Sequence, residues 1–292
     1  MIGTVERAAV FGGGGVVGIA WSAGIVHGLA CAGVRIADAD ELVGTSAGSV
    51  IATQLACGVD VSAMFAEQRH PAHDSSEQLR PYSQEAADAA NCRLVEKVGG
   101  DLVAARKRIG AFARRSETPA LEVRRAIIAA RLSTAEWPAR RLRLVAVDTD
   151  TGAPRVFDAA SDCVLVDAVA ASCAVPGVWP PVPIDGVYYM DGGIVSMTNA
   201  WVADTARRVL VLAPLGYSDG NPVSGHLRAE AAAIEARGAS AQLIVPDAAS
   251  LAAFGSNVLD PARRGPAAQA GYEQGTAIAN DIASWWLPSH DA

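Results

Sequence analysis

Three short stretches carry residue types that could do chemistry. Gly44-Thr45-Ser46-Ala47-Gly48 is a GxSxG that follows an apolar run and precedes a helix-forming one. That spacing suits a tight strand-to-helix turn that lifts a serine hydroxyl clear of a sheet edge, with small neighbours where backbone and helix crowd. A helix starting there aims its free N–H groups and dipole at the hydroxyl, favouring negative charge nearby; the competing reading is an ordinary N-cap serine. Met190-Asp191-Gly192-Gly193 ends another apolar run. It could present a carboxylate at the same sheet edge, although Asp-Gly is also a common turn pair. The third stretch, Phe11 followed by four glycines, places Gly13, Gly15 and Gly18 in a literal GxGxxG.

These stretches constrain one another. A serine nucleophile needs a base. The usual histidine is poorly placed here: His27 falls inside the first helix, His70 and His73 in a polar stretch, His226 at a helix start and His290 in the tail. A standard triad would also want more strands before the serine and a histidine after the acid. The pattern points instead to a Ser46–Asp191 pair. An aspartate, with an ordinary pKa of about 3.9, can act as base when desolvated and hydrogen-bonded to the serine. Such a weak base requires a strongly held oxyanion, and consecutive glycine N–H groups can converge on one spot to hold it. Gly13, Gly14 and Gly15 are the candidates. The rival nucleotide-binding reading needs an acidic residue after the second strand, but Asp38, Asp40 and Glu41 precede it.

The elements that must position these residues are readable from periodicity. Strands are expected at 7–11, 41–44, 142–148, 154–157, 187–190, 209–213 and 242–245. Helices are expected at 18–32, 46–56, 61–69, 120–132, 163–174, 226–237 and over 261–286. Alternating strands and helices imply an α/β fold, three layers around a mostly parallel sheet. The polar stretch 71–118 reads as a helical lid inserted into a single domain.

Composition narrows the class. The chain has 292 residues, 51% of them apolar, and a net charge of −7. An acidic balance argues against a nucleic-acid partner. The five cysteines are odd in number, show no CxxC pair and, with five scattered histidines, imply no metal site; most are expected to be small core residues. No basic leader and no apolar run long enough for a bilayer precede or follow the motifs, so a reducing cytoplasm is the expected location. The basic stretch 104–115 (AARKRIGAFARR) reads as a solvated helix face rather than a membrane-surface helix.

The ordered set Gly13-Gly14-Gly15-Val16-Val17-Gly18, Gly44-Thr45-Ser46-Ala47-Gly48 and Asp191-Gly192-Gly193, with the run 171–182 (ASCAVPGVWPPV), resembles the patatin-like phospholipase family over roughly residues 7–215. The resemblance implies a serine lipid acyl hydrolase with a three-layer α/β/α fold and no cofactor or metal. Ser46 would be nucleophile, Asp191 base, and Gly13, Gly14 and Gly15 the oxyanion hole. It also implies an acyl-lipid or ester substrate, with transient membrane contact through Trp21, Phe112, the 179–181 segment and the Trp285-Trp286-Leu287 tail; burial of that tail against the body is the plainer expectation. Acyl transfer to a lipid alcohol would use the same dyad. One departure stands out: the family's glycine motif usually has Arg or Lys where this chain has Val17, which weakens the case for a phospholipid.

Overall fold

The computed structural model describes residues 5–70 and 77–287. Eight strands occur among them: β1 (Val5–Phe11), β2 (Glu41–Thr45), β3 (Arg141–Asp148), β4 (Pro154–Phe157), β5 (Val182–Ile184), β6 (Val187–Asp191), β7 (Ala206–Leu212) and β8 (Ser240–Ile244). Strands β3-β2-β1-β7-β8 are parallel neighbours, while β4 and β6 join β3 antiparallel and β5 extends from β6. The sheet is α/β as expected.

Alternation along the strands divides the core. Ala9, Phe11, Leu42 and Leu144 face a thick helical layer of α1 (Gly15–Cys31), α2 (Ala47–Ala56) and, further along the chain, a pair of C-terminal helices. Ala8, Val10, Val43 and Val145 face a thinner layer built from 200–206 and a late surface helix. Strands buried on both faces need nearly unbroken apolar runs, which is why they are legible in the sequence.

Helix α3 (Val61–Gln68) flanks α1, and α4 (Gln84–Lys97), α5 (Leu102–Arg115) and α6 (Leu121–Arg131) fill the polar insertion before β3. Between β4 and β5 lies α7 (Leu165–Ser172); after β7 come α8 (Leu227–Ala236), α9 (Ala248–Phe254), α10 (Arg264–Ala277) and α11 (Ala279–Trp286). Helix α1 is apolar on nearly all sides because it is sandwiched between the sheet and α10. Glycines on both helices let their backbones touch: a Cβ on Gly24 would lie 2.2 Å from Ala268 O, and one on Gly271 2.3 Å from Trp21 O.

Several expectations need correction. Trp21 cannot touch a membrane, because it is fully buried with its N–H near Ser250 Oγ (3.1 Å) and Gln274 Oε1 (3.0 Å). Trp179 and Trp286 are buried as well, so the tail docks on the body, whereas Phe112 is 54% exposed. Of the cysteines only Cys173 is buried; Cys31 is exposed and the others half-buried. Strand β5 is not expected from the sequence, because its Pro-Pro-Val-Pro-Ile context argues against a strand. Helix α9 is too short for a clear period, though Asp247 caps it from Ser250 N.

Candidate active site

The turn from β2 to α2 holds Ser46 at φ 52°, ψ −125°. For a residue with a Cβ this is a strained conformation, costing on the order of 1–3 kcal/mol, that persists only when surroundings enforce it. Those surroundings are visible. Ser46 N–H donates to Ser172 Oγ (2.9 Å), and Ser46 O accepts from Ser49 N (2.8 Å), Ser49 Oγ (2.6 Å) and Cys173 Sγ (3.0 Å). The close neighbours also exclude side chains: a Cβ on Gly48 would stand 1.9 Å from Phe11 O. Ser46 occupies the N-cap position of α2 without its side chain capping anything. The turn is therefore scaffolded through the backbone, which leaves the hydroxyl free for other work.

Asp191 reaches this turn through an arrangement of strands that no local motif encodes. Leu144 and Val145 of β3 pair with both β2 and β4, so those two lie on opposite edges of β3. Ala146 and Val147 pair with both β4 and β6. Strands β2 and β6 thus share one edge of β3, end to end. Thr45 pairs with Val145 and Asp191 with Ala146, the next residue along. Helix α7 fixes both halves of the site: its last residue Ser172 and the following Cys173 hold Ser46, and Ala174 O accepts from Asp191 N (3.0 Å).

The Asp191 carboxyl is buried, only 4% exposed. Its Oδ1 accepts from Gly193 N (2.8 Å), while Oδ2 makes no well-formed hydrogen bond. Burial pushes its pKa up to about 6, against the opposing pull of the Ser46 hydroxyl, the Gly193 N–H and the Arg124 charge. A carboxylate tuned this way accepts a proton far more readily than an ordinary one. Ser46 and Asp191 share a cavity with Gly13, Gly14 and Gly15.

The three glycines are not equivalent. Gly13 N–H donates to Met197 O (2.8 Å) and is engaged in the free protein. Its missing side chain matters instead, since a Cβ would lie 3.3 Å from Ser46 Cβ. Gly14 and Gly15 stand at the start of α1, where N–H groups have no intrahelical partner, and neither donates within the described residues. Gly15 has φ 63°, and a Cβ there would meet Val258 O at 2.4 Å. The site's free donors are thus Gly14 and Gly15.

Asn199 was not singled out by sequence. It is fully buried at φ 51°, and its Nδ2 donates to Thr45 Oγ1 (3.1 Å), Gly192 O (3.1 Å) and Ser196 O (2.7 Å). It ties the Asp191 loop to the end of β2. The same loop is held from the far side by Glu230, whose Oε2 accepts from Thr198 Oγ1 (2.5 Å) and Ala200 N (3.0 Å). The only sequence signal was an Asn, a residue that tolerates left-handed backbone, eight positions after the aspartate. Asn199→Ala is expected to lower kcat about 10²-fold, the scale of an ångström's misplacement, with little change in KM; steady-state kinetics check this.

The dinucleotide reading fails on geometry. Glu41 opens β2 at the end remote from the glycines and is buried against Arg141 (2.8 Å) and Arg143 (2.9 Å). Asp40 accepts from the backbone of Glu6 and Arg7. Among the described residues no histidine lines the cavities that Ser46 opens on: His27 stacks on Phe65 with centroids 4.7 Å apart, and His73 and His290 lie outside the described residues. No group of three His, Cys, Asp or Glu side chains able to hold a metal occurs among the described residues. No helix there is long and apolar enough to cross a membrane.

A strained serine at a strand-to-helix turn, beside a desolvated aspartate and free glycine N–H groups in an α/β/α fold, is the architecture of an acyl hydrolase. The family profile described as "Patatin-like phospholipase" matches residues 9–204, and the chain belongs to that family of lipid hydrolases. No curated sequence matches the chain. Among solved structures it is similar to VipD from Legionella pneumophila, at 13% identity and TM-score 0.48, over 96% of this chain and 67% of that one. It is also similar to the type III effector protein ExoU, at 16% identity and TM-score 0.44, over 96% of this chain and 53% of that one. The chain thus spans about two thirds and about half of their lengths.

Proposed function

We propose that the protein cleaves the carboxyl ester of an acyl lipid with Ser46 as nucleophile and Asp191 as its base. As Ser46 Oγ attacks the carbonyl carbon, its proton passes to Asp191, and the carbonyl oxygen becomes an oxyanion held by Gly14 and Gly15 N–H. Collapse breaks the ester bond, and the Asp191 proton leaves on the alcohol. Water then attacks the acyl-Ser46 ester, giving its proton to Asp191, and collapse breaks the bond to Ser46 Oγ, which takes that proton back as the acid leaves. The observation that carries this reading is a strained serine, its hydroxyl not used as a helix cap, beside a buried carboxyl whose pKa burial pushes up to about 6.

A second cavity supports a place for the acyl chain. An apolar cavity of about 390 Å³ lies between the pair α4–α5 and the site, lined by Leu94, Ile109, Phe112 and Ile194. It shares Tyr82, Val175, Pro176 and Met197 with the dyad's own cavity. Within the insertion at 71–118 proposed as a lid, residues 71–76 lie outside the described residues, and α4 and α5 form one wall of this cavity.

Hydrolysis of a p-nitrophenyl ester series tests the proposal. The expected kcat/KM rises about tenfold or more from acetyl to butyryl, at ~0.8 kcal/mol per buried methylene. Turnover that is flat or falls with chain length removes the acyl cavity from the reading. Absence of turnover together with absence of Ser46 labelling by a fluorophosphonate removes the hydrolase. Analysis of products with a lysolipid present separates hydrolysis from transfer, since a transferase yields the re-acylated lipid.

A further inference from the structure

A further, smaller cavity opens on the other side of Ser46. It is lined by Ser46, Gly15, Arg80, Arg124, Arg131 and Trp179, among others. At about 30 Å³ it holds two or three oxygen-sized groups, each needing roughly 10–15 Å³ of such space; it is far too small for an acyl chain. Its charge balance is unusual for a buried place, with three arginines against the single acid Glu77. Glu77 and Arg131 form a two-pronged ion pair, Nε to Oε1 at 2.7 Å and Nη2 to Oε2 at 2.5 Å.

Among the described residues Arg124 has no such partner. It is 3% exposed, and its one hydrogen bond there is a 3.3 Å donation from Nη2 to Cys173 O. Nε and Nη1 are buried without an acceptor among the described residues. Its guanidinium lies over the Trp179 ring at 4.2 Å, with that of Arg80 over the same indole at 5.6 Å; Arg80 Nε is also buried and unpaired. Burial, reinforced by Arg131, pushes the Arg124 pKa down to about 10, so it remains charged at neutral pH. Leaving guanidinium donors buried and unpaired is costly, and an anion supplying acceptors there would offset that cost with charge-assisted bonds.

We propose that Arg124, with Arg80, forms a subsite for a phosphodiester group of the substrate, close to the ester that Ser46 attacks. This rests on the hydrolase reading above and orients the substrate: acyl chain toward α4–α5, phosphate toward Trp179. The donors suit the two unesterified oxygens of a phosphodiester, and a free phosphate would offer the same chemistry.

The test compares a short-chain phosphatidylglycerol with the matching diacylglycerol at pH 8. Wild type is expected to favour the phospholipid in kcat/KM, and Arg124→Gln to lower that ratio at least tenfold, with Arg124→Lys restoring part of it. An unchanged ratio in an active Arg124→Gln overturns the subsite. So does a mere upward shift of the acid limb of the pH profile, which would make Arg124 only a tuner of Asp191. Inorganic phosphate at fixed ionic strength gives a readout apart from catalysis. It should raise the Tm of wild type and of Ser46→Ala, and do so less or not at all for Arg124→Gln. If wild type hydrolyses neither lipid, the hydrolase reading fails while this stabilisation still decides whether the subsite exists. A Tm response with no phospholipid preference assigns the site to free phosphate and overturns the head-group role. Should Arg124→Gln not fold, lack of any wild-type preference and of any phosphate response overturns the proposal by itself.

Discussion

Ser46→Ala is expected to lower ester hydrolysis by roughly 10⁴–10⁶-fold, the range seen when the nucleophile of a serine hydrolase is removed. The fold should survive. The strained turn is held by Ser46 N–H and by Ser46 O, which contact Ser172, Ser49 and Cys173, and alanine keeps both groups. The hydroxyl serves no cap, and α2 begins without it. Alanine meets the same steric penalty at φ 52° as serine does, so the strain is unchanged rather than relieved. Thermal unfolding should therefore match wild type within about a kcal/mol, while p-nitrophenyl ester turnover and fluorophosphonate labelling both vanish. A variant that retains a tenth of wild-type activity would show that another group attacks the ester.

The parts of this site that the sequence exposes are those fixed by local backbone. The apolar runs of β1 and β2, the small residues around Ser46 and the Asp-Gly-Gly at the end of β6 follow from crowding that only a few residue types satisfy. What stayed hidden depends on partners far along the chain. That β2 and β6 share an edge of β3 can be seen only from the register of three strands. The glycine run looked like three equal donors until Met197, from the Asp191 loop, claimed the N–H of Gly13. Asn199 bonds Thr45 across 154 positions, and Arg124 comes to Ser46 from a helix whose period is that of any amphipathic segment. Trp21 departs from expectation for the converse reason: an aromatic just after a glycine loop suggests exposure, and α10, far along the chain, covers it.

Asp191→Asn is expected to remove activity by roughly 10⁴-fold or more and, at the same time, to stabilise the fold. The amide cannot take the Ser46 proton, but it keeps an oxygen for the Gly193 N–H now bound at 2.8 Å. The gain comes from burial of the native charge. The folded pKa is raised from 3.8 to about 6, so the fold prefers the protonated acid. Below about pH 3.8 both states are protonated and Asp191 costs nothing extra; the penalty grows through the window up to pH 6 and is complete above it. At about 1.4 kcal/mol per unit, that penalty is on the order of 3 kcal/mol at neutral pH. Denaturant unfolding should show Asp191→Asn more stable than wild type at pH 7.5, with the difference gone near pH 4. The same titration governs wild-type catalysis with the opposite consequence: the proton that stabilises the fold blocks the base. The kcat/KM of wild type should therefore fall on the acid side with a limb near pH 6. A limb near pH 4, with no stabilisation in the asparagine variant, would mean that Asp191 is solvated like any surface carboxylate and that its burial does not tune the dyad.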